Sequence, residues 1–217
     1  MATRTFISLE NKLSPSVPGC PRPTIQQYVR DAAIEVCERT LVWRYEQPLV
    51  RLTPGVYEYE YETPTDSEVV AVIHAAVNGS KISAKSQDEI HRVYPDWPSA
   101  DTTVRSTPRF ISQFDPDHFI IVPVPDSSVA YDIKMFLALR PTPDSTGMDK
   151  TAFDECEQLI MHGALQHLLV LPNKSWTDRD LATYHAKQYS YKTASRRAKA
   201  SLGVARASLT VQMRPFA

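Results

Sequence analysis

The chain has 217 residues, with 24 Lys+Arg against 25 Asp+Glu, 17 prolines and only 6 glycines. Ordinary usage would give about 11 Pro and about 15 Gly in a chain of this size, so rigid turns are abundant and flexible glycine chemistry is scarce. The glycines stand at 19, 55, 79, 147, 163 and 203, and no two are close enough to build a phosphate-cradling loop, a dinucleotide-binding turn or a nucleophile elbow.

The length allows one domain, or one small domain with an insertion. The longest stretch without a formal charge, 158–173, is too short for a bilayer and carries His162, Gln166 and His167, so no membrane span is expected. The first residues hold no apolar core segment and no small-residue cleavage site, which predicts no secretory leader. Cys20, Cys37 and Cys156 are odd in number and far apart, a usage that fits a reducing compartment better than a disulfide framework.

Proline placement sets the expected elements. Four prolines at 15, 18, 21 and 23 mark a stiff N-terminal arm over 1–23. Interior proline breaks helices, so long helices are confined to the proline-free windows 24–47, 144–171 and 173–214. In the first, Ile25, Tyr28, Val29, Ala32, Val36, Thr40 and Trp43 recur at helical spacing behind Thr24 and Gln27, a capping-box pair, and a helix over 24–44 is predicted.

Eleven prolines between 48 and 143 punctuate a region that reads as β. Residues 56–61 alternate as VYEYEY, 68–77 are β-branched and apolar, and Asn78-Gly79 is a two-residue hairpin signal leading into Lys81-Ile82. A short helix is expected around 87–93. Further strands are expected at 108–114, 118–124 and 131–139, with Asp115-Pro116-Asp117 turning between the first two.

Beyond this region, Phe153, Cys156, Ile160, Gly163, Ala164, His167, Leu168 and Leu171 form an apolar helical stripe closed by Pro172-Asn173. A third helix opens with Thr177 and Asp180 as a capping box. It carries Leu181, Tyr184, Gln188, Tyr191, Ser195, Ala198 and Leu202 before Gly203, and this aromatic stripe suits a partner as well as a core. After Gly203, Leu209, Val211 and Met213 recur at period two before Pro215-Phe216, so 204–217 reads as an extended C-terminal arm of the kind that adds to another chain's sheet or groove.

The expected class is therefore α+β. An antiparallel helical bundle, 24–47 with 144–203, carries an inserted small antiparallel β module over 48–143, and both termini are extended arms. Charge follows the same division. Residues 172–217 hold nine basic and two acidic residues, a net of +7, whereas 48–146 hold eight basic and fourteen acidic, a net of −6. Opposite charge at two ends of one chain suits contact between copies or docking on a charged partner, and a solvated helix face accounts for it equally well.

Chemistry is sparse. The six histidines make no metal-ligand pattern. His162 and His167 are five apart, about 140° around a helix, and cannot face one metal. Asp115, Asp117 and His118 cluster, but turn geometry explains them better than calcium binding does. Cys37 and Cys156 lie on apolar helical faces, where cysteine acts as a small hydrophobe. Glu58, Glu60 and Glu62 share one strand face, opposite Tyr57, Tyr59 and Tyr61. Two readings stay open for that row, a solvated sheet face or an acidic surface lining a passage for nucleic acid, where like charge prevents sticking. The basic run Arg196, Arg197 and Lys199 beside Tyr184, Tyr189 and Tyr191 suits nucleic acid or simply the negative end of the helix dipole. No catalytic, cofactor or metal residues are assigned. The rival functions are a hydrolase using Asp115, Asp117 or the glutamate row, and a nucleic-acid-binding protein using the third helix.

Several segments together resemble the adaptor proteins of short-tailed bacteriophages: PGCP (18–21), IQQYVRDAAIEVCERTLVWRYE (25–46), YPDW (94–97), TPRFIS (107–112), IIVPVPD (120–126) and AFDECEQLIMHGALQHLLVLPNKSWTDRDLATYHAKQYSYK (152–192). The likeness runs from Pro18 to the terminal RPF. It implies a structural head-to-tail connector of the tail tubular protein A type, not an enzyme, at the head–tail junction of the virion and assembled in the host cytoplasm. It implies a ring of twelve copies beneath the portal protein, with genomic DNA passing through a central channel without sequence-specific binding, and with the tail nozzle and tail fibres on the opposite face. The portal-binding arm falls on Arg206, Leu209, Val211, Met213, Arg214 and Phe216.

Overall fold

The computed structural model describes residues 2–95, 97, 105–113 and 115–202. They fall into two compact units, Met1–Thr5 with Trp43–Phe153, and Phe6–Val42 with Asp154–Ala217.

The first unit is organised around one long strand. Its strands in chain order are β1 (Thr3–Thr5), β2 (Trp43–Glu46), β3 (Val50–Leu52), β4 (Glu58–Glu60), β5 (Ser67–Val77), β6 (Ser80–Ala84), β7 (Phe110–Gln113), β8 (His118–Val122), β9 (Tyr131–Pro141) and β10 (Gly147–Asp149). Eight of them form one sheet in the order β2-β9-β5-β6-β7-β8-β4, with β3 also on β9. Strand β9 buries Tyr131, Ile133, Met135, Leu137 and Leu139 on alternate positions, the period-two pattern of a half-buried strand. It carries β5 on one side and β2 and β3, end to end, on the other. Its register with β5 shifts between Val69 and Ala71 and again between Val72 and His74. Such bulges increase local twist and bend the sheet, and this sheet is curled.

The Asn78-Gly79 hairpin forms between β5 and β6, with φ of 47° and 79°. Both values are positive, as the right-twisted two-residue turn requires. Asn78 also reaches sideways, since its amide donates to the Ala130 carbonyl at 2.9 Å and its oxygen accepts from Asp132 N–H at 2.9 Å. A turn residue thereby fixes the entry to β9. Between β6 and β7 the chain makes a crossover containing a helix, Gln87–Val93, closed at its start by a Ser86–Glu89 capping box. The two strands flanking that crossover pair in parallel. Ile90 on this helix packs with Trp97, Ile120, Val122 and Val124.

In the second unit, α1 (Ile7–Leu13), α2 (Arg22–Thr40), most of α4 (Lys150–Leu168) and α5 (Arg179–Leu202) pack together, α3 being the crossover helix of the first unit. Leu9, Leu13, Ile25, Val29, Val36, Cys37, Cys156, Ile160, Ala164 and Leu168 are all buried. Gly163 sits where helices come closest. A Cβ there would lie 3.1 Å from both the Ala32 Cβ and the Tyr189 ring.

The expected helical bundle with a small antiparallel insert is not what forms. A curled, mixed eight-stranded sheet is the main body of the first unit, and its parallel β6–β7 pair breaks the antiparallel expectation. The absence of proline permits a helix without requiring one. Helix α2 ends at Thr40 because Leu41 turns left-handed, φ 50°, and Trp43, expected on the helix, begins β2. At its start the cap is Pro21, with no side-chain cap bond, and Thr24 lies inside the helix. Likewise Asp178, not Thr177, caps α5, through its carboxylate and the Leu181 N–H at 2.9 Å.

The N-terminus is not an extended arm. Thr3–Thr5 pairs with Gly147–Asp149, and Leu9 and Leu13 of α1 are fully buried. The expected C-terminal arm, 204–217, lies outside the described residues, as does Gly203.

Candidate functional site

Among the described residues strand β4 is an edge of the sheet, paired through β8 alone. Glu58 and Glu60 project to solvent while Tyr59 between them stacks on Phe119, at 5.6 Å between ring centroids. Glu62, just beyond the strand, is also exposed, and Tyr61 is buried against the same Phe119 at 4.9 Å. The aromatic side anchors the strand, and the carboxylate side keeps a free sheet edge from pairing with stray chains.

Register places Glu60 opposite His118, so the acidic row meets the Asp115 turn. Asp115 accepts from the backbone N–H groups of Asp117 at 2.9 Å and His118 at 2.6 Å, and its carboxylate also meets the His118 ring at 3.0 Å. Desolvation pushes the Asp115 carboxyl up, but the N–H of Asp117 and the hydrogen bonds of His118 outweigh it and hold the group below its ordinary range. The hydrogen bond to Asp115 raises the His118 imidazole, with desolvation opposing and the charges of Asp115, Glu58 and Glu60 assisting. A carboxylic acid kept protonated for hydrolysis needs the reverse shift, so Asp115 moves away from the general-acid role of the hydrolase reading. Asp117 is exposed at the turn.

On α5 the basic residues divide. Arg196 is engaged in the second unit, bonding the Glu155 carboxylate and, at 3.0 Å, the Glu155 carbonyl. Lys192 donates to Gln158 at 2.8 Å and to His162 Nε2 at 3.1 Å. Lys187 and Arg197 are exposed, and the side chain of Lys199 lies outside the described set. Of the basic run Arg196, Arg197 and Lys199, the nucleic-acid reading therefore loses Arg196 to contacts within the helices.

His162 is the residue whose partner the sequence conceals. Its Nδ1 lies 2.8 Å from Nδ1 of His185 on α5. Because the Lys192 ammonium can only donate, His162 accepts at Nε2, carries its hydrogen on Nδ1 and gives that hydrogen to His185. Burial, then the charges of Lys192 and His185, push the His162 imidazole down to about 4, and burial lowers His185 too. His167 points elsewhere, 4.0 Å from Glu35. Cys37 and Cys156 are buried. Burial lifts both thiols, Cys156 to about 11 with Arg196 opposing, which removes the thiolate a nucleophile needs.

Among the described residues no group of three or more His, Cys, Asp or Glu is placed to hold a metal ion. No helix among them is long and apolar enough to cross a membrane. The portal-binding residues expected at Arg206, Leu209, Val211, Met213, Arg214 and Phe216 lie outside the described residues.

The SU10 adaptor protein family matches residues 4–214 of the chain. The match starts ahead of Pro18, where the likeness read from sequence begins, and takes in α1 and most of β1. No curated protein matches the chain.

Proposed function

We propose, from the premise that the chain belongs to the SU10 adaptor protein family, that it is a structural phage protein joining head to tail. The observation that carries this reading is the extent of the match, which reaches into both compact units and takes in every described element but the first residue of β1. Copies assemble as a ring, twelve in number as in connectors of the tail tubular protein A type, beneath the portal protein. The tail nozzle and fibres attach on the far side, and genomic DNA passes through the central channel.

Residues 204–217 form the arm that engages the portal, with Arg206 and Arg214 supplying charge and Leu209, Val211, Met213 and Phe216 the apolar contacts. In a single copy Glu58, Glu60 and Glu62 form a solvated acidic face, whose like charge repels a polyanion and gives the passing DNA nothing to adhere to. A ring also requires each copy to present two different faces, and the opposite net charges of 172–217 (+7) and 48–146 (−6) support a contact of that kind.

The test is a mass measurement of the full chain alone and after mixing with the cognate portal ring. Recruitment to the portal that disappears on deletion of 204–217 supports the reading. A portal that never recruits the intact chain sinks it.

A further inference from the structure

Helix α5 carries two apolar faces and its own chain uses one. Ala182 and Tyr189 are buried, at 3% exposure each, and form the face turned to the second unit's core. The other face runs along the opposite side. Leu181, Tyr184 and Tyr191 are 37%, 52% and 74% exposed, and Ala194, Ser195 and Ala198 continue it as exposed small residues. With half-buried Gln188 between the tyrosines, Leu181, Tyr184, Gln188, Tyr191, Ser195 and Ala198 recur at three- and four-residue steps, the spacing by which a helix presents a continuous stripe to a neighbour. Tyrosine, left in water here at two such positions, is among the residue types enriched at protein interfaces. The flank of the stripe is basic at Lys187, between the tyrosines, and Arg197 stands farther round the helix, both exposed.

The geometry points to this stripe docking on the acidic β4 edge of a second copy of the same chain. Glu58, Glu60 and Glu62 are exposed there, Asp117 stands exposed on the turn next to Glu60's partner His118, and Val56, 39% exposed, offers apolar surface beside them. The two surfaces match in kind, cations around aromatics on one and carboxylates beside an aliphatic residue on the other. They differ from each other, so the contact is heterologous and propagates to a ring or a filament rather than stopping at a pair. The alternative of stripe against stripe would set Lys187 and Arg197 of one copy near those of its twin, and like charges at an interface are disfavoured. This inference rests on the ring reading for its closure, but the contact itself is tested separately.

The experiment uses the full chain in a Cys20→Ser background, Cys37 and Cys156 being buried. One preparation carries Tyr191→Cys and another Glu60→Cys. They are oxidised singly and mixed across a concentration series, and masses are read under denaturing conditions beside sedimentation of the wild-type chain. Expected is a cross-link in the mixture and in neither preparation alone. The single-chain double substitution Tyr191→Cys with Glu60→Cys then gives a ladder ending at a closed species. A cross-link within the Tyr191→Cys preparation alone assigns the stripe to itself and overturns the proposal, as does absence of any cross-link at the highest concentration. Wild-type rings without the mixed cross-link refute this surface and leave the ring standing, whereas a ladder with no closed species retains the surface and refutes the ring.

As an independent readout, Lys187→Glu weakens self-association by about 30-fold or more, the scale of losing an interface hot spot, and Glu60→Lys in the other copy restores it. Circular dichroism confirms that both exposed substitutions fold. If Lys187→Glu leaves self-association unchanged but abolishes binding of a double-stranded DNA probe, the helix face serves nucleic acid and the proposal fails.

Discussion

Gly147→Ala tests whether the N-terminus is part of the folded protein. An alanine Cβ at this position would lie 2.4 Å from the carbonyl oxygen of Arg4 and 3.0 Å from its carbon, a backbone overlap that no rotamer change relieves. The three residue pairs between Thr3–Thr5 and Gly147–Asp149 must separate, and the Lys150 N–H loses its bond to the Ala2 carbonyl at 2.8 Å. The cost cannot exceed that of releasing β1. With about 0.5–1.5 kcal/mol net for each hydrogen bond lost, the substitution should destabilise the first unit by about 1–3 kcal/mol. Two measurements check it: the denaturant midpoint, and hydrogen exchange at Arg4 and Lys150, which should lose protection. Gly79→Ala is the control, since nothing lies within 4 Å of its added Cβ but its φ is +79°. It should cost about 1–2 kcal/mol through left-handed strain alone and leave Arg4 protected. If Gly147→Ala keeps both the wild-type midpoint and the protection of Arg4, the pairing of β1 with β10 is wrong.

Three further outcomes are expected. Gly163→Ala gains about 1 kcal/mol of helix propensity but drives a methyl to 3.1 Å from Ala32 and Tyr189, and overpacking of about 1–3 kcal/mol should win, giving a net loss in the thermal midpoint. Asn78→Ala removes two side-chain bonds to residues 130 and 132 at a positive-φ position, and should cost about 1–3 kcal/mol while Asn78→Gly costs less. The His162 imidazole has a folded value of about 4 against an ordinary 6.5, so between those values the unfolded chain takes up a proton that the folded one refuses. Stability of the second unit should therefore rise with pH across that window, by about 1 kcal/mol once solvent screening of the half-buried ring is allowed for. His162→Gln should flatten the dependence, and an unchanged slope would refute the tautomer chain from Lys192 through His162 to His185.

Where structure depends on neighbours in sequence, the chain is readable. Helical spacing locates α2, α4 and α5 to within a few residues, and Asn78-Gly79 fixes the β5–β6 turn because both positions need a left-handed backbone. The errors come at the ends. Helix α2 stops at Leu41, a non-glycine residue in a left-handed cap that sequence does not advertise. Helix α1 is only seven residues long with no side-chain cap bond, so its existence depends on burying Leu9 and Leu13. Strand β1 is three residues that pair with β10, some 140 residues away. Of the surface features, the alternation of Glu58, Glu60 and Glu62 with tyrosines is legible from period two alone, while the meeting of Glu60 with His118 needs the β4–β8 register.

The fifth helix shows most plainly what each level of description decides. By itself the sequence determined that a helix opens near Thr177 and Asp180, that it bears an aromatic stripe, and that the stretch around it is basic while 48–146 is acidic, because periodicity and charge are properties of the local chain. Only the tertiary structure decided which face is core. Burial of Ala182 and Tyr189 instead of Leu181, Tyr184 and Tyr191 follows from the packing of α2 and α4, whose Ala32 and Gly163 leave a slot that Tyr189 fills. Likewise only the tertiary structure decided that the β region is one curled mixed sheet, since the parallel β6–β7 pair and the placement of β2 and β3 on β9 are contacts whose free energy is gained between segments that periodicity treats as independent.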